Sequence, residues 1–169
     1  MTLEEHYQKS INTPSDIQSH VEILAHYAAL VPKEQLIVEL GFRTGVSTWG
    51  LLYGANGKVV SYDVNACYVA DHILAEPDFT LRLKDSRIPH NDDQNVGLLF
   101  IDTLHTYLQV KDEIGVWNKR LASKAYVAFH DTELPEVREA INYFKMIRDL
   151  EQVYHSDKDH GFTVLQLAK

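Results

Sequence analysis

The chain has 169 residues, 45% hydrophobic and 24% charged, enough for one compact domain with its own apolar core. Its formal net charge is −8 and it carries no long basic run, which excludes general nucleic-acid binding through clustered phosphate contacts. The lone cysteine, Cys67, excludes an intrachain disulfide and a cysteine metal cluster; no apolar run approaches membrane-spanning length, so no membrane partner and a cytoplasmic location are expected.

Taken in order, residues 3–10 predict a short helix, and Ser15-Asp16-Ile17-Gln18 reads as a capping box opening a second one. Its inward positions are Ile17, Val21, Leu24, Ala28 and Val31, and Pro32 ends it. These N-terminal helices (1–34) precede an alternating core (35–169) within a single domain. The core begins with an apolar strand over 36–40, a helix over 46–53, a strand over 58–64, a short helix over 66–74 and a strand over 79–84. Residues 86–95 are polar, contain Pro89 and read as a loop where a crossover helix would normally sit. Then come a continuous apolar strand at 97–101 and a helix at 106–121 with Val110, Ile114, Trp117 and Leu121 on one face. A strand at 125–129 and a helix at 134–150 follow, the helix facing inward through Val137, Ile141, Phe144 and either Met146 or Ile147. Two closing strands, 152–155 and 162–167, flank a polar turn. Strand–helix alternation implies an α/β fold, a doubly wound sheet of about seven strands with helices on both faces. The sheet is mostly parallel, but the last two strands lack an intervening helix and form an antiparallel hairpin.

In such sheets ligands collect at the carboxyl ends of the strands. That rule selects Glu39 to Gly45, Asp63, Asp85, Asp102 and His130-Asp131 together. The first stretch, Glu39-Leu40-Gly41-Phe42-Arg43-Thr44-Gly45-Val46-Ser47, hands a strand to a helix N-terminus through two glycines. The glycines allow close approach, and exposed N–H groups of the first helical turn can meet polar ligand atoms. The spacing lacks the middle glycine of a dinucleotide fingerprint. It resembles motif I of the class I S-adenosylmethionine-dependent methyltransferases, whose core is Rossmann-like. That resemblance implies S-adenosylmethionine as cofactor, with Glu39, Gly41, Arg43, Thr44, Gly45, Ser47, Asp63, Asp85, Ser86 and Asp102 in its site. Asp63 would accept from both ribose hydroxyls, and Asp85-Ser86 would meet the adenine edge.

Two further stretches, Leu98-Leu99-Phe100-Ile101-Asp102-Thr103-Leu104-His105-Thr106-Tyr107 and Ala125-Tyr126-Val127-Ala128-Phe129-His130-Asp131-Thr132, look like the small metal-dependent O-methyltransferase group that includes the cephalosporin hydroxylase-like and macrolide sugar enzymes. The typical text there is I-D-G-D-H-S-Y, a helix, then a strand ending H-D or D-D. The likeness spans residues 35–167. It implies a divalent cation, Mg²⁺ or Mn²⁺, on Asp102, His130 and Asp131, and a small hydroxylated acceptor. Two hard oxygens plus water suit Mg²⁺, whereas an imidazole favours Mn²⁺, Fe²⁺ or Zn²⁺. Relatives often carry a carboxylate at the position of His130. The second aspartate of the family text is Leu104 here, which leaves His105 as the general base beside Asp102. By analogy, a homodimer would cover the site. Three other readings stay open: another nucleotide-binding enzyme, a metal-dependent hydrolase using Asp102, His130 and Asp131, or a non-catalytic cofactor-binding protein.

Expected to be structural are Trp117, Tyr143 and Phe144 as core, Asp92-Asp93 as a solvated loop and Thr132 as a helix cap. Residues 155–160, with two histidines and two aspartates, are expected to be a surface turn, and Cys67 structural.

Overall fold

A computed structural model describes residues 1–65 and 71–168; Cys67 and the start of the helix expected over 66–74 lie outside the described residues. Among the described residues six α-helices and seven strands follow in chain order: α1 Leu3–Ser10, α2 Val21–Ala29, β1 Leu36–Leu40, α3 Val46–Gly54, β2 Val59–Asp63, α4 Asp71–Leu74, β3 Phe79–Leu83, β4 Val96–Ile101, α5 Tyr107–Trp117, β5 Leu121–His130, α6 Pro135–Ile147, β6 Leu150–Ser156 and β7 Phe162–Leu167. The seven strands make one sheet ordered β3-β2-β1-β4-β5-β7-β6. β1 to β5 pair in parallel, and β7 joins antiparallel to both β5 and β6, as the missing last crossover requires.

Every residue of β4 is buried, because a central parallel strand has helices on both faces. Period-two alternation divides the strands between two cores. Val38, Leu40, Leu99, Ile101, Val127 and Phe129 face α5 and α6. Ile37, Leu98, Phe100 and Ala128 face α2 and α3. Pocket-forming tails then follow from topology. From β1 the chain builds outward through β2 and β3, then returns to lay β4 on the other side of β1. The direction reverses between β1 and β4, and a crevice opens past their carboxyl ends.

Several local expectations give way to packing. The second helix begins at Val21 after a single 3₁₀ turn, Gln18–His20, and Ser15 Oγ makes no hydrogen bond among the described residues, so the expected capping box is not formed there. The inward stripe nevertheless holds: Ile17, Val21, Leu24, Ala28 and Val31 are all buried. A capping box exists instead at Thr2–Glu5, opening α1. Leu121 starts β5 and does not extend α5. In α6 the inward stripe is Val137, Ala140, Ile141 and Phe144; its next turn falls where the helix stops, so Met146 is 85% and Ile147 42% exposed. Thr132 caps no helix: Pro135 opens α6 behind Leu134, and the Thr132 hydroxyl accepts from Thr163 Oγ1. The loop between β3 and β4 is pinned, not solvated, at Asp93, which is 2% exposed. It accepts two bonds from Arg82, at 2.8 and 2.7 Å, and one from the Tyr62 hydroxyl.

Gly41 fixes the approach of the two central tails. It has φ +95°, and a Cβ there would lie 1.8 Å from the Asp102 carbonyl oxygen. Gly41→Ala should therefore cost roughly 3 kcal/mol or more, whereas Gly115→Ala, on an exposed helical position with nothing within 4 Å of the added Cβ, should gain up to about 1 kcal/mol. Urea unfolding of both variants checks the contrast; a Gly41→Ala protein as stable as the parent would show that β1 and β4 do not meet in this way.

Candidate functional site

At the end of β1 the backbone turns through Gly41, Arg43 (φ +50°) and Gly45 (φ +79°) into α3. Beneath this turn Glu39 is fully buried. Its carboxyl accepts from Ser47 Oγ at 2.5 Å, Thr48 Oγ1 at 2.7 Å and Ser61 Oγ at 2.5 Å, which ties β1, β2 and α3 together. Glu39 thus shapes the turn from below and does not reach open space, and the Ser47 hydroxyl is directed to it.

Above the turn lie two clefts. One, of about 370 Å³, is lined by Gly41, Arg43, Asp63, Asp85, Ser86 and Asp102, six of the residues expected there, together with Tyr62, Val64, Leu104 and Gln109. The other, of about 340 Å³, lies between the 13–17 segment and Gly41, Arg43, Thr44, Ser47 and Asp102. Asp63 receives the Arg43 N–H at 2.8 Å and the Asn65 N–H at 2.9 Å. Asp85 is paired with Arg87 at 2.7 Å. Ser86 points its hydroxyl away from the cleft, to Glu113 Oε1 at 2.5 Å. The Arg43 guanidinium reaches Asp16 at 2.8 Å, an exposed pair worth under about 1 kcal/mol.

Past β4 and β5 the structure brings together Asp102, His105, His130 and Asp131. His130 Nδ1 is 3.2 Å from Asp102 Oδ1 and 3.0 Å from Asp131 Oδ2. His105 Nε2 is 2.8 Å from Asp131 Oδ2 and 3.6 Å from Asp102 Oδ1. Asp131 turns inward through a left-handed backbone conformation, φ +56°, which aspartate tolerates better than most residues. Asp102, His105 and Asp131 each offer one ligand atom within 4.8 Å of the other two, a spacing a cation can bridge. The His130 side chain is 1% exposed, and its Nε2–H is directed at the carbonyls of Asp16 (3.1 Å) and Asp159 (3.0 Å). The 156–160 turn thus buttresses the site through its backbone, with the Asp159 carboxylate adding its charge beside His20 and His130. His105, at 40% side-chain exposure, stands at the rim.

Charge follows geometry. The carboxylates of Asp102 and Asp131 hold His105 up to about 9. Burial opposes charge on His130, but the same two carboxylates outweigh it and raise the imidazole to about 10. Burial likewise works against ionised Asp102 and Asp131, and hydrogen bonds from both imidazoles reverse it, lowering both acids.

Three features escaped the sequence reading. Asp93 with Tyr62 and Arg82 pins the β3–β4 loop, and His20 stacks on Phe162 at 4.8 Å beside His130. Glu113 gathers Ser86, Thr103 and Gln109 under the first cleft. Only Glu113 carried a signal: it sits among Val110, Ile114 and Trp117 on the inward stripe of α5, where an acid needs a polar reason to be.

A family model described as a methyltransferase domain matches residues 38–132, from the β1 turn through the Asp131 tail. The chain belongs to the methyltransferase domain family. No curated protein matches it. Among solved structures it resembles the N-methyltransferase NodS from Bradyrhizobium japonicum in complex with S-adenosyl-L-homocysteine, at 13% identity, TM-score 0.69 and coverage of 99% of this chain and 97% of that one. It also resembles a methyltransferase from Geobacter sulfurreducens (14%, 0.69, 99% and 89%) and an S-adenosylmethionine-dependent O-methyltransferase from Thermotoga maritima (13%, 0.68, 92% and 72%). These likenesses place the methyltransferase in the class I, Rossmann-like fold expected from its Glu39–Ser47 stretch.

In this methyltransferase Glu39 governs one pH response. Burial pushes its carboxyl from 4.5 up to about 7, against three hydroxyl donors that favour the ionised form. The folded chain keeps a proton that the unfolded chain has lost, so this group's contribution to stability falls as pH rises between those values. Glu39→Gln removes that dependence. Urea unfolding should show the variant gaining about 2–3 kcal/mol on the parent between about pH 5 and pH 7.5. An offset that does not change with pH would mean that Glu39 titrates as an ordinary carboxyl.

Proposed function

We propose that this methyltransferase transfers a methyl group from S-adenosylmethionine to an oxygen of a small hydroxylated acceptor, assisted by a divalent cation. The observation that carries the reading is the double membership of Asp102: it lines both clefts around the glycine turn and is part of the aspartate–histidine cluster. Cofactor and cation chemistry would then meet at one side chain.

The donor set fits a cation. Two carboxylate oxygens converge with imidazole nitrogens, and His130 has its Nε2–H fixed on backbone carbonyls with Nδ1 turned to the carboxylates, a common way of orienting metal-binding imidazoles. Asp102, Asp131 and His130 would hold the ion, Mn²⁺ suiting the imidazole better than Mg²⁺. Bound there, a cation would lower the pKa of an acceptor hydroxyl. The cofactor would bring an electrophilic sulfonium methyl. Gly41 gives backbone access to the first cleft, and Asp63 carries the ribose-facing carboxylate. His105 stands at the rim with Nε2 donating to Asp131, so the acceptor's proton would be received at its Nδ1, once a cation on Asp102 and Asp131 had relieved the pull of these carboxylates that keeps the imidazole protonated; Asp131 would then hold the resulting imidazolium. Alignment of acceptor and methyl by these fixed groups would supply much of the rate.

Asp63→Ala should weaken S-adenosylhomocysteine binding by about 1–3 kcal/mol in calorimetry, through lost charged hydrogen bonds; an unchanged affinity would remove Asp63 from the ribose role. Mn²⁺ should raise the melting temperature of the parent chain and of His105→Asn, and leave that of Asp131→Ala unmoved. A Mn²⁺ response retained in Asp131→Ala places the cation elsewhere, and one lost in His105→Asn makes His105 a ligand and not the base.

A further inference from the structure

Glu113 lies fully buried on α5, and every side-chain bond it makes points toward one wall of the first cleft. Its Oε1 accepts from Ser86 Oγ at 2.5 Å and from Gln109 Nε2 at 2.8 Å, and its Oε2 accepts from Thr103 Oγ1 at 2.8 Å. Ser86, Thr103 and Gln109 all line the cleft. The arrangement decides the direction of one amide. Glu113 Oε1 already takes the Ser86 proton, so the group of Gln109 that faces it must be the NH₂. The same nitrogen lies 3.4 Å from Ser86 Oγ. The carbonyl oxygen of Gln109 is therefore turned away from Glu113, and it has no hydrogen-bond partner among the described residues. An acceptor held in a fixed direction on a cleft wall and open to the cleft is a place where a ligand's donor can replace water.

The neighbouring acid does not compete on equal terms. Asp85 takes the Arg87 N–H at 2.9 Å, its Nε at 3.0 Å and its Nη2 at 2.7 Å. Beside Ser86, Gln109 Oε1 is an acceptor with no protein donor among the described residues. Among the common purines, adenine presents an exocyclic amino donor at C6, whereas hypoxanthine presents an oxygen there, which would set acceptor against acceptor.

We propose that Gln109 is a specificity-determining residue that reads the exocyclic amino group of the adenosyl ligand, and that Glu113 is a positioning residue that sets the direction of its amide. The inference rests on the adenosyl reading of the cleft and adds to it a base-selecting device on α5, away from the strand-end motifs.

Equilibrium calorimetry with S-adenosylhomocysteine and S-inosylhomocysteine tests this without turnover. The parent chain should prefer the adenosyl ligand by about tenfold or more, the size expected when a site acceptor loses its donor. Gln109→Met should bring the ratio of the two affinities toward one, chiefly through weaker adenosyl binding. Glu113→Met should lower the ratio as well, and Glu113→Gln, which can keep an acceptor facing Gln109, should restore it; melting temperatures recorded alongside confirm folding. An unchanged ratio in Gln109→Met, or an equal loss for both ligands, overturns the proposal. A ratio that Glu113→Met leaves intact overturns the positioning role. Failure of the parent chain to bind S-adenosylhomocysteine at all is a different result, because it removes the cofactor reading itself.

Discussion

The site depends on one contact between backbones. β1 and β4 lie side by side at the point where the sheet reverses its order, and their tails come so close that the Gly41 Cα sits against the Asp102 carbonyl with no room for a Cβ. That approach sets the floor of both clefts. It also fixes Asp102, whose N–H donates to the Leu40 carbonyl at 2.9 Å while its carboxylate turns outward to the two imidazoles. A side chain at position 41 would push β4 outward and carry Asp102 with it, so the glycine serves the cluster as much as the turn.

Around this contact the chain keeps several carboxyl groups where water does not reach them. Burying an ionised carboxyl without partners costs several kcal/mol. Each is accommodated by a local set of donors: Glu39 by three hydroxyls, Glu113 by two hydroxyls and an amide, and Asp93 by a guanidinium and a phenol. The solutions differ because the tasks differ. Glu39 and Glu113 have only neutral donors, and burial raises both carboxyls. Asp93 has a cation, and it secures the long β3–β4 connection that lacks a crossover helix. The polar network on the first cleft is thus built from inside outward, with the ligand-facing groups held by buried acids.

Much of the architecture was legible from periodicity. The all-apolar run at β4, the glycine-terminated β1 and the missing last crossover suffice for the mixed sheet, and the strand-end rule brings Asp63, Asp102, His130 and Asp131 to one rim. What was not legible has a common cause. Capping at Ser15, capping by Thr132, solvation of Asp93 and the inward turn of Met146 were inferred from neighbours in sequence, whereas Thr132 and Asp93 were decided by contacts distant in sequence and the other two by where the helices start and stop. Thr132 meets Thr163, Asp93 meets Tyr62, and the last turn of α6 stops short of the core. Likewise, no local pattern announces that the Asp16 and Asp159 carbonyls fix the His130 ring, since those contacts join the N-terminal segment and the last hairpin to β5.

Leu104, the departure from the metal-dependent family text, and His130, the histidine form of its H-D or D-D ending, point the same way electrostatically. A carboxylate at position 104 would stand next to His105 at the cleft rim, and one at position 130 would stand between Asp102 and Asp131. This chain has an exposed leucine at the first and a buried imidazole at the second. Both changes subtract negative charge from the mouth of the sheet, leaving two carboxylates faced by two histidines. Four converging acids would need a strongly held divalent ion to offset their repulsion. Two acids paired with two imidazoles offset one another's charge across the rim. A cation entering such a site would have to compete with the imidazoles for the carboxylates. The same subtraction leaves Leu104 as an exposed apolar edge beside His105 on the wall of the first cleft.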